Sequence, residues 1–421
     1  MAGSMLLGTG AAYAAAPIEA NLKVVGRWEG DAQQSYGDVA VVGTTAVVAI
    51  EAVDPCLASS AAVVDLKNPR SPRPVSSIPL PPGTTAIDVD AASVSTPAFT
   101  GDLVAIAVAP TSGCAGAPRA AVVLHDVTDP AQPRSLGRTS EAQSVSLAQR
   151  SDGRVLAARV TVAPSVVAFD DVSDPARPVA LAEWPDPEPQ PTAATCRAAG
   201  VVLRDEGEGA VVAFAGGRVY DLNLVEPRSP SASEGAPGPP APHTAVLPLG
   251  NRTIAIASED SCGATDGALG LRVLVIGRES GMREEAPLRF PGAAAPGRLV
   301  ASGALAYVAW HGDGVRVIDF GEVRARTVAQ FAPERPDVVG VALLPQHIVV
   351  TDSGSGLYVL DRPEEAGGRA GFWSQFLSLL PYLGGAMVMA ALVVVPRLAM
   401  GRARAGAGSP MPSPVPRRRR A

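Results

Sequence analysis

Short apolar runs, rich in valine and alanine, alternate with turns rich in glycine, proline and aspartate along most of the chain. Late in this region three runs follow one another closely: PDVVGVALLP, HIVVTDSG and GLYVLD, within residues 336–361. Short runs of this kind, rich in β-branched residues and bounded by turn residues, are typical of β-strands. The pattern predicts an all-β protein built from many short strands.

One turn phrase occurs twice in nearly the same form. The chain reads DVTDPAQPRSLG at Asp126–Gly137 and DVSDPARPVALA at Asp171–Ala182. Its first aspartate can accept a backbone hydrogen bond from two residues further on, and proline fixes φ and removes a donor that the turn does not use. Related phrases follow Asp65 and Asp221, so we interpret the phrase as a rigid corner between a third and a fourth strand.

The apolar runs that resemble the strand before this corner recur along the chain. Their last residues are separated by 61, 45, 50, 56, 42 and 42 residues, and they are Asp65, Asp126, Asp171, Asp221, Gly277, Asp319 and Asp361. Repeats of about 40 to 60 residues with four short strands each are typical of β-propellers. We therefore predict a seven-bladed β-propeller.

The two ends of the repeat region predict how the ring closes. The seventh unit ends at Asp361 without a fourth strand, whereas LKVVGRW at Leu22–Trp28 resembles a fourth strand without the three that should precede it. Pairing between these segments would remove two exposed sheet edges. We predict that the N-terminal strand closes the propeller.

The strands LRVLVI, VRVIDF and LYVLD, together with the DVSDPARP turn, resemble the LVIVD-repeat family. The resemblance covers most of Leu22–Asp361. It implies a β-propeller at the cell surface, and it implies no agreed chemistry, so no catalytic residue is carried over from it.

The ends of the chain predict a location at the cell membrane. Residues 1–16 resemble a signal peptide, although no basic residue precedes Lys23. After the propeller (17–361) and a linker (362–371), an uncharged stretch at 372–396 predicts a transmembrane helix that contacts the lipid bilayer through Leu377–Val395. The arginine-rich tail at 397–421 then lies in the cytoplasm and the propeller outside. A buried core helix is the alternative, but it would carry a polar face.

Composition changes this picture little. The 421 residues carry a net charge of −6 and are 18% charged, with basic residues scattered except at the extreme C-terminus. This distribution argues against a nucleic-acid partner. Phosphate-binding glycine motifs and the GxSxG motif are missing from the sequence, so we predict no cofactor and no catalytic residue.

The four cysteines predict disulfides. Cys56, Cys114 and Cys262 each precede a third strand at a similar distance after a glycine, and Cys196 precedes a first strand. These loops emerge on one edge of a propeller, so neighbouring units favour the pairs Cys56–Cys114 and Cys196–Cys262. Three connectivities are possible. A metal site is the alternative, but no CxxC or paired histidine spacing supports it.

A weaker set of polar residues predicts a rim site: His243, Glu259, His311 and Asp313. Isolated turn residues are the plainer explanation of these positions, and a calcium loop at Asp205–Glu208 lacks the expected ligand spacing. Two functions from different classes follow. One is a non-catalytic surface module that binds a protein or a glycan, or serves as a structural component of the envelope. The other is a lactonase-like or metal-dependent hydrolase, which requires a histidine and a carboxylate within about 4 Å at the channel.

Overall fold

The structure is a computed structural model that describes most of the repeat region. The described residues are 22–31, 33–51, 54, 56–57, 59–111, 113–162, 165–185, 200–207, 210–215, 218–223, 231–232, 243–249, 252–259, 269–277, 281–290, 295–321 and 324–363. The chain divides into two units, residues 1–363 and 364–421. Across the described ranges there is no helix that could cross a membrane. The predicted signal peptide and the predicted membrane span at 372–396 lie outside these ranges.

The described structure consists of strands and turns. In chain order the first strands are β1 (Val24–Glu29), β2 (Ser35–Val42), β3 (Thr45–Glu51), β4 (Ser60–Asp65), β5 (Arg73–Pro79), β6 (Thr84–Ser95), β7 (Thr100–Pro110), β8 (Ala121–Asp126), β9 (Arg134–Thr139), β10 (Ser144–Gln149), β11 (Val155–Val162), β12 (Ser165–Asp171), β13 (Val179–Pro185) and β14 (Val201–Gly207).

The remaining strands are similarly short. They are β15 (Ala210–Ala215), β16 (Arg218–Asn223), β17 (Ser231–Ala232), β18 (Thr244–Leu249), β19 (Arg252–Ser258), β20 (Gly270–Gly277), β21 (Gly281–Glu284), β22 (Leu288–Arg289), β23 (Pro296–Ser302), β24 (Leu305–Trp310), β25 (Gly314–Asp319), β26 (Arg326–Phe331), β27 (Val338–Leu343), β28 (His347–Asp352) and β29 (Gly356–Asp361).

These strands form antiparallel sheets, which we number in chain order. Sheets 1, 2, 3 and 4 are β2–β5, β6–β9, β10–β13 and β14–β17; sheet 5 is β18–β22; sheet 6 is β23–β26; and sheet 7 is β27–β29 with β1. The first strand of each sheet contacts the first strands of both neighbouring sheets, from β2 through β6, β10, β14, β18, β23 and β27 back to β2. The closed ring of inner strands makes the fold a β-propeller, as the repeats predicted.

The prediction of seven four-stranded blades needs one correction. Six of the sheets are regular four-stranded blades, whereas in sheet 5 two short strands, β21 and β22, share the outer position beside β20. Three residues separate Glu284 from Leu288, while only two separate their partners Leu274 and Leu271 on β20. One of the three is Pro287, which has no N–H to donate to the ladder. The outer strand is therefore broken there.

The core lies between the sheets rather than inside a single layer. Apolar clusters fill the spaces between sheets 1 and 2, 2 and 3, 3 and 4, 5 and 6, 6 and 7, and 7 and 1. Middle strands are therefore covered on both faces, and all six residues of β24 are buried. This double burial explains why middle strands appear in the sequence as continuous apolar runs without alternation.

The ring closes as predicted. β1 pairs antiparallel with β29, with Val24 opposite Leu360 and Glu29 opposite Gly356. The N–H of Asp361 also donates to the carbonyl oxygen of Lys23, at 2.9 Å. The N-terminal strand thus completes the last sheet.

The repeated phrase forms the predicted corner between third and fourth strands. The first aspartate accepts a hydrogen bond from the N–H two residues on: Asp126 from Thr128 and Asp171 from Ser173, both at 2.9 Å. The second polar residue repeats the contact, since Asp129 accepts from the N–H of Ala131 at 3.1 Å. We call the edge of the ring that carries these corners the turn edge.

Candidate functional site

Polar side chains reach the channel from equivalent positions of the inner strands. They are Asp38 in β2, Asp88 in β6, Ser144 in β10 and Arg298 in β23, and each precedes an apolar residue. In β2, β6 and β23 the ladder is irregular at this point, with shifts at Tyr36/Val39, Ala86/Asp88 and Pro296/Leu299. A β-bulge redirects side chains, which accounts for charged residues inside otherwise apolar strands.

Arg298 joins the aspartates of two other sheets. One guanidinium nitrogen, Nη1, donates to Asp38 Oδ2 at 2.9 Å and to Asp88 Oδ1. The other, Nη2, donates to the carbonyl oxygen of Val89 at 3.1 Å. The side chains of Asp38 and Asp88 are only 8% and 6% exposed. We call Asp38, Asp88, Asp90 and Arg298 the channel cluster.

The aspartates also hold the inner strands together. Each inner strand faces the channel with N–H groups that have no neighbouring strand to pair with, so they need other acceptors. A side chain of the preceding sheet supplies the acceptor at distances of 2.7–3.2 Å: Asp38 for Val89, Asp88 for Val145, Asp90 for Leu147, Ser144 for Val201 and Ser146 for Leu203. Much of the polar character of the channel is therefore structural.

The channel cluster shifts the pKa values of its members. Burial raises the pKa of Asp38 to about 8, although Arg298 opposes this. Burial acts on Asp88 as well, but Arg298 and hydrogen bonds from Asp38 and Ser144 outweigh it, so the pKa of Asp88 is lowered. Burial also raises the pKa of Asp90. At neutral pH the Asp38–Asp88 pair therefore holds one proton and one negative charge beside Arg298.

The channel cluster separates two cavities. The first, of about 400 Å³, is lined by Asp38 and Asp88 and by residues at the ends of β3 and β7 and near the starts of β2 and β27. The second, of about 250 Å³, is lined by Asp90, Ser146 and Arg298. His243 lines both. We call the first the mouth cavity, because it opens at the edge opposite the turn edge.

A disulfide lies at the same edge as the mouth cavity. Cys56 in the β3–β4 connection and Cys114 in the β7–β8 connection are bonded, with an S–S distance of 2.08 Å and a Cα–Cα distance of 5.3 Å. This confirms the predicted Cys56–Cys114 pair, which links sheets 1 and 2. Cys196 and Cys262 lie outside the described residues. We call this edge the disulfide edge.

A histidine and a carboxylate meet at the mouth cavity. His311 Nδ1 lies 2.8 Å from Asp337 Oδ1, and Ser353 donates its hydroxyl to the other oxygen of Asp337. All three residues line the cavity. Burial works to raise the pKa of Asp337, but the hydrogen bonds from Ser353 and His311 outweigh it and lower the pKa.

The structure brings only part of the predicted rim site together. His243 and His311 line the mouth cavity. Asp313 instead accepts from Arg316 in the β24–β25 hairpin, and Glu259 accepts from the N–H of Gly270 at 2.8 Å. The side chains of Asp205–Glu208, whose spacing argued against a calcium loop, lie outside the described residues. A functional role of the four predicted residues stays a prediction.

Sequence reasoning missed the channel cluster and Asp337. The available signal was a charged residue directly before an apolar one inside a first strand, in YGDVAV, AIDVDA and PGRLVA. Aligning the units on their first strands would have placed Asp38, Asp88 and Arg298 at one level. In the described part of the chain, no group of three or more histidine, cysteine, aspartate or glutamate side chains is arranged to hold a metal ion.

Comparisons with known proteins identify the fold. No protein-family profile and no curated protein sequence matches the chain. Similar solved structures include the WD40 repeats of RRP9, with 14% identity, a TM-score of 0.51, and coverage of 82% of this chain and 99% of that chain. Sqt1 of Saccharomyces cerevisiae has 11% identity, a TM-score of 0.50, and coverage of 81% and 99%. U3-55K has 15% identity, a TM-score of 0.50, and coverage of 82% of this chain and 100% of that chain. At these identities the similarity establishes the propeller fold alone.

Proposed function

We propose that this chain is a membrane-anchored, extracytoplasmic β-propeller of the LVIVD-repeat type that acts as a non-catalytic binding module for a protein at the cell surface. One observation carries the binding role: the mouth cavity of about 400 Å³, lined mainly by polar side chains, lies on the edge that the disulfide holds together. This volume falls within the range of about 300–1,000 Å³ that is typical of ligand sites.

The cell-surface assignment rests on three features. Residues 1–16 resemble a signal peptide, and the uncharged stretch at 372–396 is followed by an arginine-rich tail. The disulfide suits an oxidising compartment. Alkaline carbonate washing should leave the chain in the membrane fraction, and protease added to intact cells should remove the propeller. Release by carbonate, or full protection from protease in cells whose surface proteins are digested, contradicts the assignment.

Site-specific photo-cross-linking in intact cells tests the binding role. Leu57, 60% exposed, lies beside Cys56 on the disulfide edge, and Val179, 58% exposed, lies at the turn edge. A photoreactive residue should give a discrete adduct with one protein at position 57 and none at position 179. The adduct is identified by mass spectrometry and confirmed by purification through the captured protein. Equal adducts at both positions contradict a binding face at the disulfide edge, and an adduct removed by glycosidases indicates a glycan ligand instead.

The His311–Asp337 contact supports a second candidate function. A histidine whose Nδ1 is held by a carboxylate can act as a general base at the mouth cavity, as a hydrolase requires. Purified protein would be assayed on a panel of lactones and esters, with His311→Gln as the matched variant. Turnover that His311→Gln abolishes supports an enzyme, and turnover that survives in the variant excludes His311 as the base.

A further inference from the structure

We propose that the mouth cavity binds a basic side chain, an arginine or a lysine, presented by the partner protein. This inference rests on the proposed binding role and adds the chemistry of the contact. It follows from the charges around the cavity and from an acceptor atom that the fold leaves without a donor.

The charges around the mouth cavity have one sign. Four carboxylates line it: Asp38, Glu51, Asp88 and Asp337. Among the described residues, no lysine or arginine lines it. Arg298 lies behind the two buried aspartates and belongs to the other cavity. A cation entering from the disulfide edge therefore meets these carboxylates, and no lysine or arginine of the described part of the chain.

One oxygen of the cluster has no hydrogen-bond donor. Asp38 uses Oδ2 for both Arg298 Nη1, at 2.9 Å, and the N–H of Val89, at 3.0 Å. Its other oxygen, Oδ1, is buried and has no partner in the structure. Only 8% of this side chain is exposed, yet Asp38 lines the mouth cavity. Once Asp38 is ionised, this oxygen is a buried acceptor without a donor, which is unfavourable, and a charged N–H donor satisfies a carboxylate most strongly.

The size and composition of the cavity favour an organic cation over a metal ion. A volume of about 400 Å³ holds a side chain of several atoms with water around it, whereas a metal ion needs several converging ligands at short range. The described residues contain no such group of ligands. Arg298 already illustrates the proposed contact, because its guanidinium bridges Asp38 and Asp88 from the opposite side.

Peptide binding to the full-length chain tests the inference. The probe is a fluorescent nonapeptide of glycine and serine with one central arginine, and its control carries the isosteric neutral residue citrulline. By anisotropy the arginine peptide should bind at least tenfold more tightly. Asp38→Asn should weaken its binding about tenfold and Glu51→Gln about threefold. The control Asp129→Asn lies at the turn edge, opposite the mouth cavity, and should leave binding unchanged. The corner accepts asparagine at this position, because the equivalent residue of sheet 1 is Asn68.

The pH dependence of binding gives a second readout. Asp38 must lose its proton to pair with a cation, and its pKa of about 8 predicts about tenfold tighter binding at pH 9 than at pH 7. The charged groups that face it are Arg298 and Asp88, with Asp90 also acting on Arg298. Two histidines, His243 and His311, also line the cavity. Asp38→Asn should remove most of the change between pH 7 and pH 9.

Several outcomes overturn the inference. Equal binding of the arginine and citrulline peptides excludes a charged contact, and unchanged binding in a folded Asp38→Asn or Glu51→Gln variant excludes this cavity. Displacement of the peptide by 1 mM calcium chloride indicates a divalent-cation site, and equal affinity for free arginine amide indicates a small-molecule site. If any of these occurs while position 57 still cross-links a partner, the proposed function stands and the inference fails.

Discussion

At the scale of single residues, a small side chain in each of several outer strands allows neighbouring sheets to pack. The carbonyl oxygen of Pro175, in the corner of sheet 3, would lie 2.4 Å from a Cβ placed on Gly137 in β9. Pro69 approaches Gly26 in β1 in the same way. In β5 the corresponding residue is Ser76, whose hydroxyl donates to the carbonyl oxygen of Pro130 at 2.5 Å. The repeated corner thus also docks onto the preceding sheet.

We expect Gly137→Val to lower the free energy of unfolding by about 1–3 kcal/mol, because its side chain would collide with the backbone at Pro175. Urea denaturation measures the change. Arg138→Val is the matched control, since Arg138 is the next residue of β9 and is exposed. Equal stability of the two variants would show that the corner can move away without cost.

The buried acid Asp38 predicts how stability depends on pH. Its folded pKa, about 8, lies above its ordinary value of 3.8, so its contribution to stability is complete below about pH 4 and is lost as the pH rises through 8. Asp38→Asn keeps an acceptor for Val89 without this titration. The free energy of unfolding of the wild type minus that of the variant should fall between pH 5 and pH 8, by at most about 1.4 kcal/mol per pH unit. A difference that stays constant across these pH values contradicts the assignment.

At the scale of elements, the disulfide joins two connections that the strands alone do not hold together. Cys56 and Cys114 are separated by 58 residues, a loop whose closure stabilises a folded chain by up to about 4 kcal/mol. Cys56→Ser should lower the midpoint of thermal unfolding, and dithiothreitol should lower that of the wild type by at least as much. A variant as stable as the wild type would show that the β3–β4 and β7–β8 connections are held by other contacts.

The elements themselves were largely predictable, because middle strands buried on both faces leave long apolar runs in the sequence. The runs VRVIDF and LYVLD correspond to β25 (Gly314–Asp319) and β29 (Gly356–Asp361). Sheet 5 was predicted less well. The break between β21 and β22 depends on one extra residue and on Pro287, and an outer strand has too little buried surface to show a clear pattern.

At the scale of the whole molecule, closure by β1 decides whether the ring has exposed edges. Deleting Leu22–Trp28 would leave β29 without its outer partner and expose a row of unpaired backbone groups. We expect an aggregated or protease-sensitive product in limited proteolysis. The control Glu29→Ala breaks an exposed ion pair with Arg27 and keeps the strand, so it should resist protease as the wild type does. A truncated chain of unchanged resistance contradicts closure by β1.

The sequence alone predicted the propeller, the corner between third and fourth strands and the closing strand, and it favoured the Cys56–Cys114 pair among three possible connectivities. These features depend on local patterns and on the order of the repeats, which a linear chain displays directly. Only the tertiary structure decided the site. Asp38, Asp88 and Arg298 come from three sheets and meet because bulged inner strands surround one channel, while Asp337 meets His311 across a connection. Such contacts depend on the closed ring, where residues 260 positions apart become neighbours.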